Sequence, residues 1–195
     1  MTKGPATRAT ILDQAVDTAY AVGLGGLSIG VLATRSEMSK SGLFAHFGSK
    51  EALQLAVLEH AREDFIARVI RPALATPRGE SRVRELFTGW LRVTVDRSRG
   101  SCLFVKAATE LEGWDGPVRE QLVRDHRDLF ETVALVFSTG ISEGHFAADA
   151  DPEQFAHDLH GILLAVYHAR GILEDPAADN RAWRAFQALL EAARP

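Results

Sequence analysis

The stretch Leu27–Ala52, LSIGVLATRSEMSKSGLFAHFGSKEA, decides how the rest of the chain is read. Ser28 and Ser39 stand where a hydroxyl side chain caps a helix, and Gly48 stands where one ends. The pattern predicts two short helices, Ile29 to about Arg35 and Lys40 to about Phe47, joined by a tight turn. Those are the proportions of a helix-turn-helix. Leu32 and Ala33 face inward on the first helix and Met38 plugs the turn. Leu43 and Phe47, four residues apart, anchor the second. Lys40, Ser41, Gly42, Phe44, Ala45 and His46 are left on or near its free face and N-terminal end. A recognition helix inserts that end into the DNA major groove. The alternative is a plain helical corner inside a bundle.

Outward from this stretch the apolar period stays helical. Ile11, Leu12, Ala15, Val16 and Ala19 share one stripe, and Gly23, Gly25 and Gly26 stop that helix. Ser49 caps a fourth helix that carries Leu53, Val57, Phe65 and Val69 and is expected to close before Pro72. A fifth runs past Gly79 to about Arg99, where Gly100 breaks it. Cys102–Glu112 and Pro117 to about Glu143 follow, the latter with proline at a first helical position. Asp151–Pro152–Glu153–Gln154 opens an eighth helix, to about Leu173. A ninth carries Trp183, Phe186, Leu189 and Leu190. The expected fold is all-α with nine helices, and no strand-like alternation appears.

The 195 residues are 46% hydrophobic and 25% charged, a mix that excludes disorder as the main state. The longest strongly apolar run, Gly161–Tyr167, is far short of the roughly 20 residues a membrane helix needs. Asp13 interrupts the apolar stretch Ile11–Val16, so no secretory leader is expected. The single cysteine, Cys102, cannot form an internal disulfide, which fits a cytoplasmic protein. The net charge of −4 hides an asymmetry: residues 1–50 carry +2 and the remainder −6. A polyanionic partner would therefore meet the N-terminal head.

Ser39-Lys40-Ser41-Gly42-Leu43-Phe44-Ala45-His46-Phe47-Gly48-Ser49-Lys50-Glu51-Ala52-Leu53 resembles the signature of the TetR family of transcriptional repressors. That signature usually reads V-S-x-x-x-L-Y-x-H-F-x-x-K-E-x-L. The resemblance implies two domains: a helix-turn-helix DNA-binding domain over residues 1–50, and a helical ligand-binding and dimerisation domain over 51–195. It also implies a homodimer on a double-stranded operator and a small-molecule effector. Carried across, Lys40, Ser41 and Gly42 match positions that approach bases or nearby phosphates, and Ala45 is a further DNA-binding candidate from the free face. His46 and Lys50 match phosphate-contacting positions. Thr34 and Arg35, at the end of the preceding helix, add a backbone or base contact. Phe44 stands where the family usually has tyrosine, so one hydrogen bond of about 1 kcal/mol is lost. Glu37 replaces the usual turn glycine, and a left-handed conformation there costs about 1 kcal/mol.

In the body the resemblance implies a cavity. The candidate liners are Phe65, Phe87, Trp90, Leu91, Phe104, Ala108, His126, Phe130 and Phe137, with Trp114 near a mouth. Such a pocket suits a largely apolar ligand, with His126, Thr109, Glu110 and Arg127 as polar handles. Each aromatic residue taken alone reads first as core. Leu159, Leu163, Val166 and Ile172, with Trp183, Phe186 and Leu190, are expected at the dimer interface, where two copies would form a four-helix bundle. His157, His160 and His168 read as surface or interface histidines, and no metal site is expected. No cofactor motif or catalytic constellation is found. The leading reading is a ligand-responsive regulator, most often a repressor. The alternatives are an all-helical small-molecule-binding protein or enzyme, and a DNA-binding factor without a ligand.

Overall fold

A computed structural model describes residues 8–96 and 102–195. The elements are α1 Arg8–Val22, α2 Ile29–Ser36, α3 Lys40–Phe47, α4 Lys50–Phe65, a π turn Ile66–Ile70, α5 Arg71–Ala75, α6 Glu80–Asp96, α7 Leu103–Glu110, α8 Pro117–Ser142, α9 Pro152–Gly171 and α10 Ala178–Ala193. Taking α4, the π turn and α5 as one rod, nine helices stand among the described residues, with no strand. The helix end expected near Arg99 and the Gly100 break lie outside the described residues.

The caps hold as side-chain hydrogen bonds. Ser28 Oγ accepts from the Val31 N–H, Ser39 Oγ from Gly42, Ser49 Oγ from Ala52, and Asp151 Oδ1 from both Glu153 and Gln154. Each satisfies donors that a helix start leaves without a partner. The fourth helix does not close before Pro72. At the π turn the Arg71 N–H reaches back to Ile66 O, and Pro72 falls at the start of α5. A proline at the start of a helical turn needs no amide donor, so the rod continues through it.

By internal packing the chain divides into two compact units. One comprises residues up to Asp64 together with Cys102–Arg124; the other runs from Phe65 through α6 and resumes over Asp125–Pro195. The first has a core in which Ile11, Val16, Leu27, Leu32, Leu43, Leu53 and Val57 are fully buried. Helix α7 joins this core through Leu103 and Ala107, and Phe104 packs on its edge. Its polar groups also tie into α1: Lys106 Nζ donates to Tyr20 O at 3.0 Å, and Glu110 Oε2 accepts from the Gly25 N–H at 2.9 Å. Gly23, at φ +82°, ends α1, and a Cβ there would stand 2.2 Å from the Glu110 carboxylate. Both the backbone angle and the close carboxylate require glycine.

The second unit is held by aromatic stacks. Phe87 lies on Phe186 with centroids 4.0 Å apart, and Phe137 lies on Phe155 at 4.0 Å and Phe146 at 4.4 Å. Helices α9 and α10 pack together, and Arg170 locks them, binding Asp179 on α10 and Thr94 on α6. Arg194 Nη2 and Arg84 Nε donate to Glu80 at 3.0 and 2.7 Å. The Arg194 hydrogen bond leads in holding the Glu80 carboxyl below the usual carboxylate range.

Candidate functional site

The first unit presents α3 as expected from its period. Leu43 and Phe47 are buried, whereas Lys40, Ser41, Phe44, Ala45 and His46 are exposed and Gly42 is half-buried. Thr34 and Arg35, at the end of α2, are exposed as well. The turn between the two helices carries Glu37 at φ 56° and ψ 26°, left-handed backbone that favours glycine. Thr34 Oγ1 donates back to Gly30 O at 3.1 Å. The Lys40 chain lies along the start of α2, its Cε 3.7 Å from where a Gly30 Cβ would stand. Lys50 Nζ donates to Gly25 O at 2.6 Å, which ties the start of α4 to the α1–α2 turn. Gln54 Nε2 does the same from inside the core, donating to Leu24 O at 2.6 Å. The pair α2–α3 is thus braced from behind, and its outward face is left to solvent.

The candidate effector residues are divided between the two units. Phe65, Trp90, Phe130 and His126 come together in the second unit around His160. The Phe130 and His160 rings are 4.8 Å apart, His126 and His160 6.5 Å, Trp90 and His160 6.2 Å, and Phe65 and Trp90 5.2 Å. Trp90 Nε1 donates to Tyr167 Oη at 2.8 Å. Burial, and then His126 and His157, push His160 from 6.5 down to about 4. The ring is therefore a neutral imidazole near pH 7, a donor at one nitrogen and an acceptor at the other.

Phe87 and Phe137 are spent in the stacks of the core, and Leu91 is buried with its carbonyl accepting from Arg170. Phe104 and Ala108, on α7, go with the first unit. Of the polar handles, Glu110 is committed to Gly25, and Thr109 and Arg127 are exposed. Trp114 is 57% exposed in the turn after α7.

The residues expected at the dimer interface differ in their exposure. Leu159, Leu163, Val166, Phe186 and Leu190 are buried within their own body. Trp183 is half-buried, edge-on to Phe87 at 5.0 Å. Of the seven residues only Ile172 is largely free, at 72% exposed. An apolar stripe shows that a helix face is covered and does not say by what; here α6, α9 and α10 cover one another.

His160 and Tyr167 are the cluster members that sequence reasoning missed. The signal was present. Ala156, Leu159, Leu163, Val166 and Tyr167 form the buried stripe of α9, and His160 lies in line with it at i+4 from Ala156 and i−3 from Leu163.

Comparison with known proteins agrees with this architecture. A family model described as "Bacterial regulatory proteins, tetR family" matches residues 11–57. A second, "Tetracyclin repressor-like, C-terminal domain", matches residues 79–186. No curated protein matches the chain in sequence. Among solved structures, a TetR-family transcriptional regulator from Streptomyces coelicolor, SCO4454, is similar at a TM-score of 0.81 and 21% identity over 96% of both chains. A cysteine-substituted form of the TetR-family regulator CifR, solved with double-strand operator DNA, is similar at 0.77 and 25% over 99% of this chain and 100% of that one. AibR, solved with isovaleryl coenzyme A and operator DNA, is similar at 0.65 and 22% over 89% and 95%. The helix pair that the first model covers is the one whose face stands free, and the second model spans more than half of the length; the chain belongs to the TetR family of bacterial transcriptional regulators.

Proposed function

We propose that this regulator is a cytoplasmic repressor that binds a palindromic operator as a homodimer and lets go when a small, largely apolar effector binds its body. The observation that carries the reading is the braced α2–α3 pair. Its inner residues are fully committed to the core, and Thr34, Arg35, Lys40, Ser41, Phe44, Ala45 and His46 face outward. Residues 1–50 form the reading head and 51–195 the effector and dimer body. CifR with operator DNA, and AibR with an acyl coenzyme A and operator DNA, are relatives in fold that support the reading.

The effector site of this proposal is the cluster of Phe65, Trp90, His126, Phe130, His160 and Tyr167. Aromatic walls with a neutral imidazole suit a ligand that buries apolar surface and makes one or two hydrogen bonds. The dimer face is the exposed side of α9, Gly161, Leu164, Ala165 and His168, with Ile172 just past its end and Ala185, Ala188 and Ala192 of α10. Small side chains there let two helix pairs approach closely in a four-helix bundle. Release requires an effector that binds two states unequally. Helix α7 is the element to watch, because Lys106 and Glu110 bind the α1–α2 region of the head. An effector favouring a state without those two contacts lowers operator affinity. A regulator needs no turnover, so no reaction is assigned to the body.

The test is to recover genomic fragments on the purified protein at moderate salt and to screen small molecules for release. Recovery of a promoter-proximal palindrome, released by an apolar compound, supports the proposal. Recovery of no fragment, or chemical turnover of the compound, overturns it.

A further inference from the structure

Helix α3 is short of the side chains that read bases by hydrogen bonding. Guanine is read bidentately by arginine or lysine and adenine by asparagine or glutamine. The sequence of α3, KSGLFAHF, contains no arginine, asparagine or glutamine. Its one lysine, Lys40, lies along the start of α2. Ser41 Oγ donates to Ser39 Oγ at 3.4 Å, and Ser39 Oγ accepts the Gly42 N–H at 3.1 Å, so the hydroxyls turn toward the helix cap. Gly42 carries no side chain, and a Cβ there would stand 3.0 Å from Ser39 Oγ.

Apart from the exposed imidazole of His46, what remains is apolar. With Leu43 and Phe47 turned inward, the helical period places Ala45 opposite them and Phe44 beside it. Both are exposed, Phe44 to 58%. One exposed phenyl is ordinary on a protein surface. Its position next to an exposed methyl on the reading face is what carries the argument. Lacking a hydroxyl, Phe44 cannot hydrogen-bond a phosphate. The one major-groove feature that an apolar face distinguishes is the C5-methyl group of thymine. We infer that α3 selects its half-site by apolar contact with thymine methyl groups, made by Phe44 and Ala45. The inference rests on the proposed role of α2–α3 as the DNA-reading pair.

The test starts with duplexes selected from a randomised pool by the full chain. The best duplex is resynthesised with each thymine in turn replaced by deoxyuridine, which deletes only the methyl. Deleting a methyl that touches the helix should weaken binding by about fourfold, the equivalent of one buried methylene. The affected thymines should recur in both half-sites. The Phe44→Ala variant, exposed and free to fold, should lose part of this sensitivity. Adding Ala45→Gly should leave thymine and deoxyuridine duplexes bound equally. The inference is overturned if all replacements change affinity less than about twofold, or if the double variant keeps the full difference. If the pool yields no preferred duplex, the proposed DNA-reading role falls with it, an outcome distinct from selection without methyl dependence.

Discussion

Helices α3 and α9 each bury one face and expose another, and the two exposed faces differ in how they could be found. On α3 the free face is named by a motif, because Leu43, Phe47 and the two serine caps fix which side turns in. On α9 the buried stripe of Leu159, Leu163 and Val166 drew the interface assignment, yet it packs within its own body. The exposed side, Gly161, Leu164, Ala165, His168 and Ile172, is less apolar and more mixed. Periodicity identifies the covered face, and what covers it has to come from elsewhere.

The strongest break of that comparison is in the body. Phe186→Ala removes a fully buried ring stacked on Phe87 and should cost about 3 to 5 kcal/mol, read as a fall in the denaturant midpoint. Leu164→Glu with Ile172→Glu should leave secondary structure intact and convert dimer to monomer in light scattering. The reverse pattern would return the interface to the buried stripe.

Acid tests the His160 cluster. Its folded value near 4 lies below 6.5, so the unfolded chain binds the extra proton first. The stability is full above about pH 6.5 and is lost as the pH falls toward 4. After discounting for solvent screening the loss is about 2 kcal/mol. His160→Phe should flatten that window. The lowered Glu80 carboxyl adds a separate loss further down, below its ordinary 4.5, which His160→Phe leaves in place. A pH series of urea titrations reads both.

Glu110→Ala should cost about 1.5 kcal/mol, the worth of a hydrogen bond to a charged group. It should also speed hydrogen exchange at the Gly25 amide that Glu110 now holds. An unchanged Gly25 rate would remove α7 from the account of release. The smallest effect is at the turn. Glu37→Gly relieves left-handed backbone at φ 56° and should stabilise the chain by about 1 kcal/mol. Thermal unfolding checks it.

These particulars mark how far the sequence could be read. Ser28, Ser39, Ser49 and Asp151 were legible as caps because capping is local: one side chain and an amide two or three residues on. The end of the fourth helix was not, because a π turn rearranges backbone bonding ahead of Pro72 and leaves no mark in the apolar period. The reading face of α3 was legible because local elements position it. The ten candidate effector residues come from several helices in both units, and long-range packing sorts them. Phe87 packs on Phe186 and Phe137 on Phe155, while Trp90, His126 and Phe130 surround His160, which its pattern alone places at a surface or interface, and Phe65 packs on Trp90. The Gly25 amide that Glu110 binds is 85 residues away, so no local pattern marks the pair.

The central claim is that the free face of α2–α3 reads a two-fold symmetric operator. The most direct measurement is a hydroxyl-radical footprint of the full chain on its selected fragment, repeated across a salt series. Two protected half-sites related by a dyad and spaced by whole turns of DNA are expected. The logarithm of affinity should fall linearly with that of salt. Protection without symmetry, or affinity indifferent to both sequence and salt, would contradict it.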